Sequence, residues 1–138
     1  MPATQPFETK PLGEGVDATA PDGTAVRLLL SLAGGSAIHF ELPAGAVSHA
    51  VTHRTVEEIW FVVSGQGSIW RRQGDRESIA PLSPGTSLTI PLGTAFQFRA
   101  DAASALAFVA ITMPPWPGAD EAAPVAGPWT PTVAAGFL

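Results

Sequence analysis

Short apolar runs separated by glycine and proline set the pattern of this chain. Residues 25–32 (AVRLLLSL) are the first predicted strand, turned by Gly34-Gly35. Residues 36–42 (SAIHFEL) alternate. Ile38, Phe40 and Leu42 fall on one face, and Ala37, His39 and Glu41 on the other. The apolar set marks the core side, which leaves His39 solvated or cross-strand beside Glu41. Residues 47–53 and 58–63 read as two further strands joined by 54–57, and Ser64-Gly65-Gln66-Gly67 is a turn. Residues 68–72 and 76–80 form a hairpin around Gln73-Gly74-Asp75. Strands follow at 86–90, 95–100 and 105–113, the last almost continuously apolar, as a strand buried on both faces would be. No window of about ten residues has helical periodicity.

The two ends break this rhythm. Residues 1–24 are polar, and Pro2, Pro6, Pro11 and Pro21 exclude a central strand. Pro21-Asp22-Gly23 reads as a turn. In residues 114–138 five prolines follow Pro114, and Trp116 and Trp129 sit in Pro-Trp settings. Leaving both tryptophans, Phe137 and Leu138 in water is costly at about 25 cal/mol per Å² of apolar surface. The expected division is an N-terminal arm (1–24), a β-barrel (25–113) and a C-terminal arm (114–138) laid on the barrel or on a second subunit.

Composition narrows the reading. With 138 residues, 46% of them hydrophobic, the chain suits one domain with a real core. The net charge is −5, and no basic run exists, so nucleic acid is not an expected partner. The acidity and the lack of an apolar run of ~20 residues also argue against a membrane. There is no cysteine, which excludes disulfides and Cys-ligated metals and fits the cytoplasm. The first residues show neither the basic start nor the apolar core of a signal peptide. Fourteen glycines and fourteen prolines between short β-like runs indicate an all-β sandwich or barrel. Arg71, Arg72 and Arg76 read as a solvated hairpin tip balanced by Asp75 and Glu77, rather than as an anion patch.

Two glycine and proline frames carry a resemblance. His53, four residues, Glu58, six residues and Gly65, with Gly45 upstream, resembles the first motif of the cupin family. Gly85, five residues and Pro91-Leu92-Gly93 resembles the frame of the second. The resemblance covers residues 25–113 and implies an all-β double-stranded β-helix, or jelly-roll barrel. It also implies metal ligands at positions occupied here by Val51, His53, Glu58 and Phe96. Two of the four are apolar, and catalytic sites usually need three protein ligands. The metal site is therefore expected to be degenerate. The alternative is a weakly bound divalent ion on His53 and Glu58, completed by water or a bound acid.

Strand alternation puts His49, Val51 and His53 on one face. His49 and His53 are roughly 13 Å apart along a strand, too far to share an ion unless the strand bulges. His49 is therefore placed near the pocket mouth. With Glu58 inward, Trp60 and Val62 also point inward, while Ile59, Phe61 and Val63 face out. The expected pocket is His49, Val51, His53, Glu58, Trp60, Phe96 and Phe98. A carboxylate beside His53 would raise its pKa and fix its tautomer. Such a pair suits acid–base catalysis, ligand orientation or a purely structural hydrogen bond. The leading expectation is a protein that binds a compact, partly apolar small molecule with one polar or acidic group. One alternative is a metal-dependent dioxygenase, isomerase or decarboxylase using His53 and Glu58. Another is an interaction module using the Pro/Trp tail. The outward apolar row favours a homodimer.

Overall fold

The computed structural model describes residues 4–138; residues 1–3, Pro2 among them, lie outside it. Eleven strands are present among the described residues. They are β1 (Ala18–Thr19), β2 (Ala25–Leu32), β3 (Gly35–Leu42), β4 (Val51–His53), β5 (Glu57–Ser64) and β6 (Gly67–Gln73). Then come β7 (Arg76–Leu82), β8 (Ser87–Ile90), β9 (Ala95–Ala100), β10 (Leu106–Met113) and β11 (Ala122–Pro124). The only helical turn described is a short 3-10 turn, Ala119–Glu121. No helix described is long and apolar enough to cross a membrane.

The strands form two antiparallel sheets facing each other as a jelly roll. One runs β1-β2-β3-β10-β5-β8, the other β11-β4-β9-β6-β7. Alternation decides what lies between them. Ile38, Phe40 and Leu42 of β3 are buried, as are Glu58, Trp60 and Val62 of β5. Ile59, Phe61 and Val63 remain exposed on the outer face. β10 lies centrally between β3 and β5, yet Ile111 on it is exposed, so its outer face is only partly covered. The core is dominated by aromatic rings: Trp60 stacks on Phe108 at 4.0 Å between centroids and 13° between planes. Phe98 meets both edge-on at 5.2 and 5.3 Å.

Three elements differ from expectation. The strand expected at 47–53 survives only as β4. Upstream, Ser48 N–H bonds the Phe98 carbonyl, its hydroxyl accepts from Phe98 N–H, and Gln97 Nε2 donates to its carbonyl. Side chains therefore replace part of the ladder there. His39 is buried rather than solvated, opposite Arg27 on β2. In the tail, Ala122–Pro124 pairs with β4 as an edge strand, a place where proline is tolerated.

The tail covers the outer face of the five-stranded sheet. Trp129 and Val125 pack on Trp70, Ala50 and Ala95. Gln97 reads the tail backbone, donating to the Trp129 carbonyl and accepting its N–H. The Arg99 guanidinium lies 4.1 Å from the Trp129 ring centroid.

Gly65 turns β5 into β6 at φ 78°, and a Cβ there would collide with the Ala105 carbonyl. Gly65→Ala is expected to cost about 2 kcal/mol or more, lowering the thermal midpoint by roughly 8 °C. A melting curve unchanged from wild type would show that the turn tolerates a side chain.

Candidate functional site

β5 carries Glu58 between two neighbours, opposite Thr112 of β10 and Ile90 of β8. It is 4% exposed, and its Oε1 accepts a hydrogen bond from Trp60 Nε1 at 2.8 Å. Burial pushes its pKa up to about 7. The Trp60 bond opposes the rise, and Asp22 and Glu121 add to it.

β4 carries His53, 6% exposed, between two aromatic edges. Phe96 stands 5.3 Å away at 80° and Trp116 5.0 Å away at 74°. Burial pulls its pKa down to about 4, and Glu121 only partly restores it. The expectation that a neighbouring carboxylate would raise this pKa is overturned. Desolvation of the imidazolium is the larger effect, and Glu58 takes its hydrogen bond from Trp60 instead. At neutral pH His53 is uncharged. Its Nδ1 is buried without a partner among the described residues.

Two acids outside the expected pocket act on this site: Asp22 lines the chamber, and Glu121 lies near enough for its charge to act on His53 and Glu58. Asp22, from the turn at Pro21-Asp22-Gly23, accepts from Thr24 N–H at 3.0 Å and from Thr24 Oγ1 at 2.6 Å. Burial nevertheless raises its pKa. Glu121 accepts from Thr55 N–H at 2.7 Å and Val56 N–H at 3.1 Å, pinning the tail to the β4–β5 loop. Burial pushes that carboxyl up, but the bonds from Thr55, Val56 and Arg54 outweigh it and hold its pKa low.

The chamber between these groups is small. His53, Glu58, Trp60, Val51 and Phe96 all line it, but its free volume is ≈ 20 Å³, room for about one water. The reason is the tail. Trp116 and Leu138 close the chamber, and Trp116 Nε1 donates to the Leu138 carbonyl at 3.1 Å. Leu138 N–H reaches the Thr19 carbonyl at 3.3 Å, and Gly136 N–H the Ala20 carbonyl at 2.9 Å. Phe98 sits behind Trp60 and does not line the chamber. His49 lies outside it, with Nε2 2.6 Å from the Val133 carbonyl. Sequence reasoning missed Asp22, Trp116, Glu121 and Leu138. A proline-rich tail has no periodicity to point a side chain, although the tryptophans signalled burial.

A metal of the usual kind does not fit these residues. Among the described residues no group of three His, Asp or Glu side chains is placed to hold an ion. Val51 and Phe96 present carbon where the family resemblance implies ligands, and aromatic edges flank His53 on two sides.

A cupin-domain family profile matches residues 38–112, over half of the chain. No curated protein matches it by sequence. KdgF from Halomonas sp. superposes with a TM-score of 0.60 at 19% identity, covering 71% of this chain and 86% of KdgF. The cupin domain of Schizosaccharomyces pombe Cnp3 gives 0.61 at 12%, covering 72% and 69%. The capsular polysaccharide assembling protein CapF of Staphylococcus aureus gives 0.61 at 17%, covering 71% of this chain. The chain matches only 30% of CapF's length. At such identities the likeness establishes the fold alone.

The two buried groups pull stability in opposite directions with pH. Between pH 4.5 and about 7 the unfolded chain ionises Glu58 and the folded chain does not, so stability falls as pH rises. Between pH 6.5 and about 4 the unfolded chain protonates His53 and the folded chain does not, so stability falls as pH drops. Glu58→Gln removes only the first effect. The stability difference between wild type and variant should shift by about 3 kcal/mol across the Glu58 window, read by urea unfolding. A pH-independent difference would contradict the buried carboxyl.

Proposed function

The chain belongs to the cupin-domain family, and on that footing we propose that it is a small-molecule-binding cupin whose barrel chamber works without a metal. The observation that carries this reading is the unpartnered His53 Nδ1 of an aromatic chamber that Glu58 also lines. A buried polar atom without a partner costs about 1–3 kcal/mol, which a ligand could recover. The ligand is compact and partly apolar, as the rings of Trp60, Phe96 and Phe108 require. Its polar group is a neutral hydrogen-bonding group or an amine. An acid is disfavoured, because His53 is uncharged, Asp22 and Glu58 line the chamber, and the charge of Glu121 also reaches it. Entry requires Trp116 and Leu138 to swing aside. Both tail tryptophans are engaged by this chain's own barrel, which weighs against the tail as a partner-docking segment.

The reading includes a homodimer. Ile59, Phe61 and Val63 are 44%, 53% and 49% exposed, and the register sets Ile59 beside Ile111 and Phe61 beside Val109. Ile59, Phe61 and Val63 are uncharged, with Glu57 at one end of the same row, so two copies related by a two-fold axis can meet on these three apolar side chains. A second copy is its proposed cover.

Benzyl alcohol, benzylamine and benzoate share a ring and differ in charge. With chelator present, the alcohol or the amine should raise the melting temperature saturably and benzoate should not. The response should grow in Trp116→Ala and vanish in His53→Ala. Stabilisation that appears only on adding a divalent metal would overturn the metal-free reading.

Light scattering should give twice the chain mass for wild type and the monomer mass for Phe61→Glu. A monomeric wild type at tens of micromolar would remove the dimer.

A further inference from the structure

The two sheets of the sandwich share an open seam. β7 is one of the two edge strands of one sheet and β8 one of the two of the other. Between the β6–β7 hairpin and the β8–β9 corner lies a cleft of ≈ 170 Å³, several times the volume of the barrel chamber. Its walls include Arg71, Gln73, Arg76, Ser78, Thr89 and Thr94.

Strand alternation explains why arginines line it. Arg71 and Gln73 lie on the same face of β6 as Ile69, which is fully buried in the core. The register sets Arg71 opposite Ser78 and Gln73 opposite Arg76. The inner face of the sheet thus turns from apolar to cationic as it reaches the seam. Arg72 and Glu77 are paired on the opposite face. Arg72 also borders the cleft, but its guanidinium lies 5.5 Å from the Trp70 ring centroid. Glu77 accepts from Trp70 Nε1 at 2.6 Å.

The hairpin tip is solvated, as the sequence reading has it, with Asp75, Arg76 and Glu77 all exposed, but no contact ion pair ties its acids to its arginines. The only ion pair among the described residues is Arg27 with Glu41, far along the chain. Neither Asp75 nor Glu77 neutralises Arg71 or Arg76. In a chain of net charge −5, two guanidiniums without a carboxylate partner face one cleft.

The cleft is also held in shape. Arg71 Nη1 donates to the Thr89 carbonyl at 3.0 Å, across the seam. Gln73 Nε2 donates to Thr94 Oγ1 at 3.1 Å, tying the hairpin to the β8–β9 corner. A guanidinium has five N–H donors, and the Thr89 contact uses one.

We propose that this seam is a binding site for the oxyanion group, phosphate or carboxylate, of a small molecule. Arg71 and Arg76 supply the charge and paired N–H donors that suit either oxyanion. Gln73 and Ser78 supply neutral donors on the cleft walls. The site is separate from the barrel chamber and independent of what that chamber binds.

Calorimetry with inorganic phosphate and with succinate, against chloride at matched ionic strength, tests this. Saturable binding of one or both oxyanions is expected, and the tighter of the two identifies the class. Arg76→Gln, an exposed change, and Arg71→Gln should each weaken binding by at least tenfold. Lys10→Gln, an exposed change outside the cleft, makes the same change in net charge and should leave binding within about twofold. Binding that is equal in wild type and Arg76→Gln, or reproduced by chloride, would overturn the proposal. So would no heat from either oxyanion with folded wild-type protein.

Discussion

A single hydrogen bond in the barrel, from the Trp60 indole N–H to the Glu58 carboxyl, connects the fold to the chemistry. Both side chains point inward from β5 because they sit two residues apart on an alternating strand. Trp60 is locked by stacking on Phe108 and by the edges of Phe96 and Phe98. The carboxyl is thus fixed where water cannot solvate its charge. A buried, unpaired carboxylate is costly, so the group shifts toward its neutral form. The same apolar surroundings keep His53 neutral. The chamber consequently holds an acid and an imidazole that do not neutralise each other, in place of an ion pair or a metal centre.

The terminal segments complete what the barrel begins. Phe40, Trp60, Phe96 and Phe108 build an apolar chamber, and the tail fills its mouth with Trp116 and Leu138. The same tail roofs the outer face of the five-stranded sheet with Val125 and Trp129. The six-stranded sheet has no such roof over Ile59, Phe61 and Val63. One face is therefore closed within the chain and the other is left apolar and exposed. That asymmetry is what the proposed dimer rests on.

Much of this was legible in the sequence, and the limits have physical causes. Period-two alternation oriented β3 and β5, because a strand buried on one face has little freedom of register. The glycine and proline frames marked the turns and the family. Alternation failed at His49, where the Gln97 side chain and the Ser48 hydroxyl take over bonds a ladder would have made. His39 takes the cross-strand alternative, opposite Arg27, but its burial was not legible from alternation alone. The pKa of His53 was misjudged in direction, since sequence shows a nearby carboxylate but not the degree of burial. Trp116 could be expected to be buried, but its chamber could not be named from a segment without periodicity. The solvated hairpin tip was legible, but the side of the hairpin that Arg71 and Arg76 share was not, because it follows from the register of β6 with β7.

The most direct test is an NMR titration of the Glu58 side-chain carboxyl, followed together with the Trp60 indole N–H. The account predicts a midpoint near pH 7, with the indole resonance moving through the same midpoint because it donates to that carboxyl. A midpoint near 4.5, with the indole unaffected, would mean that the carboxyl is solvated. The chamber would then not hold a desolvated carboxyl.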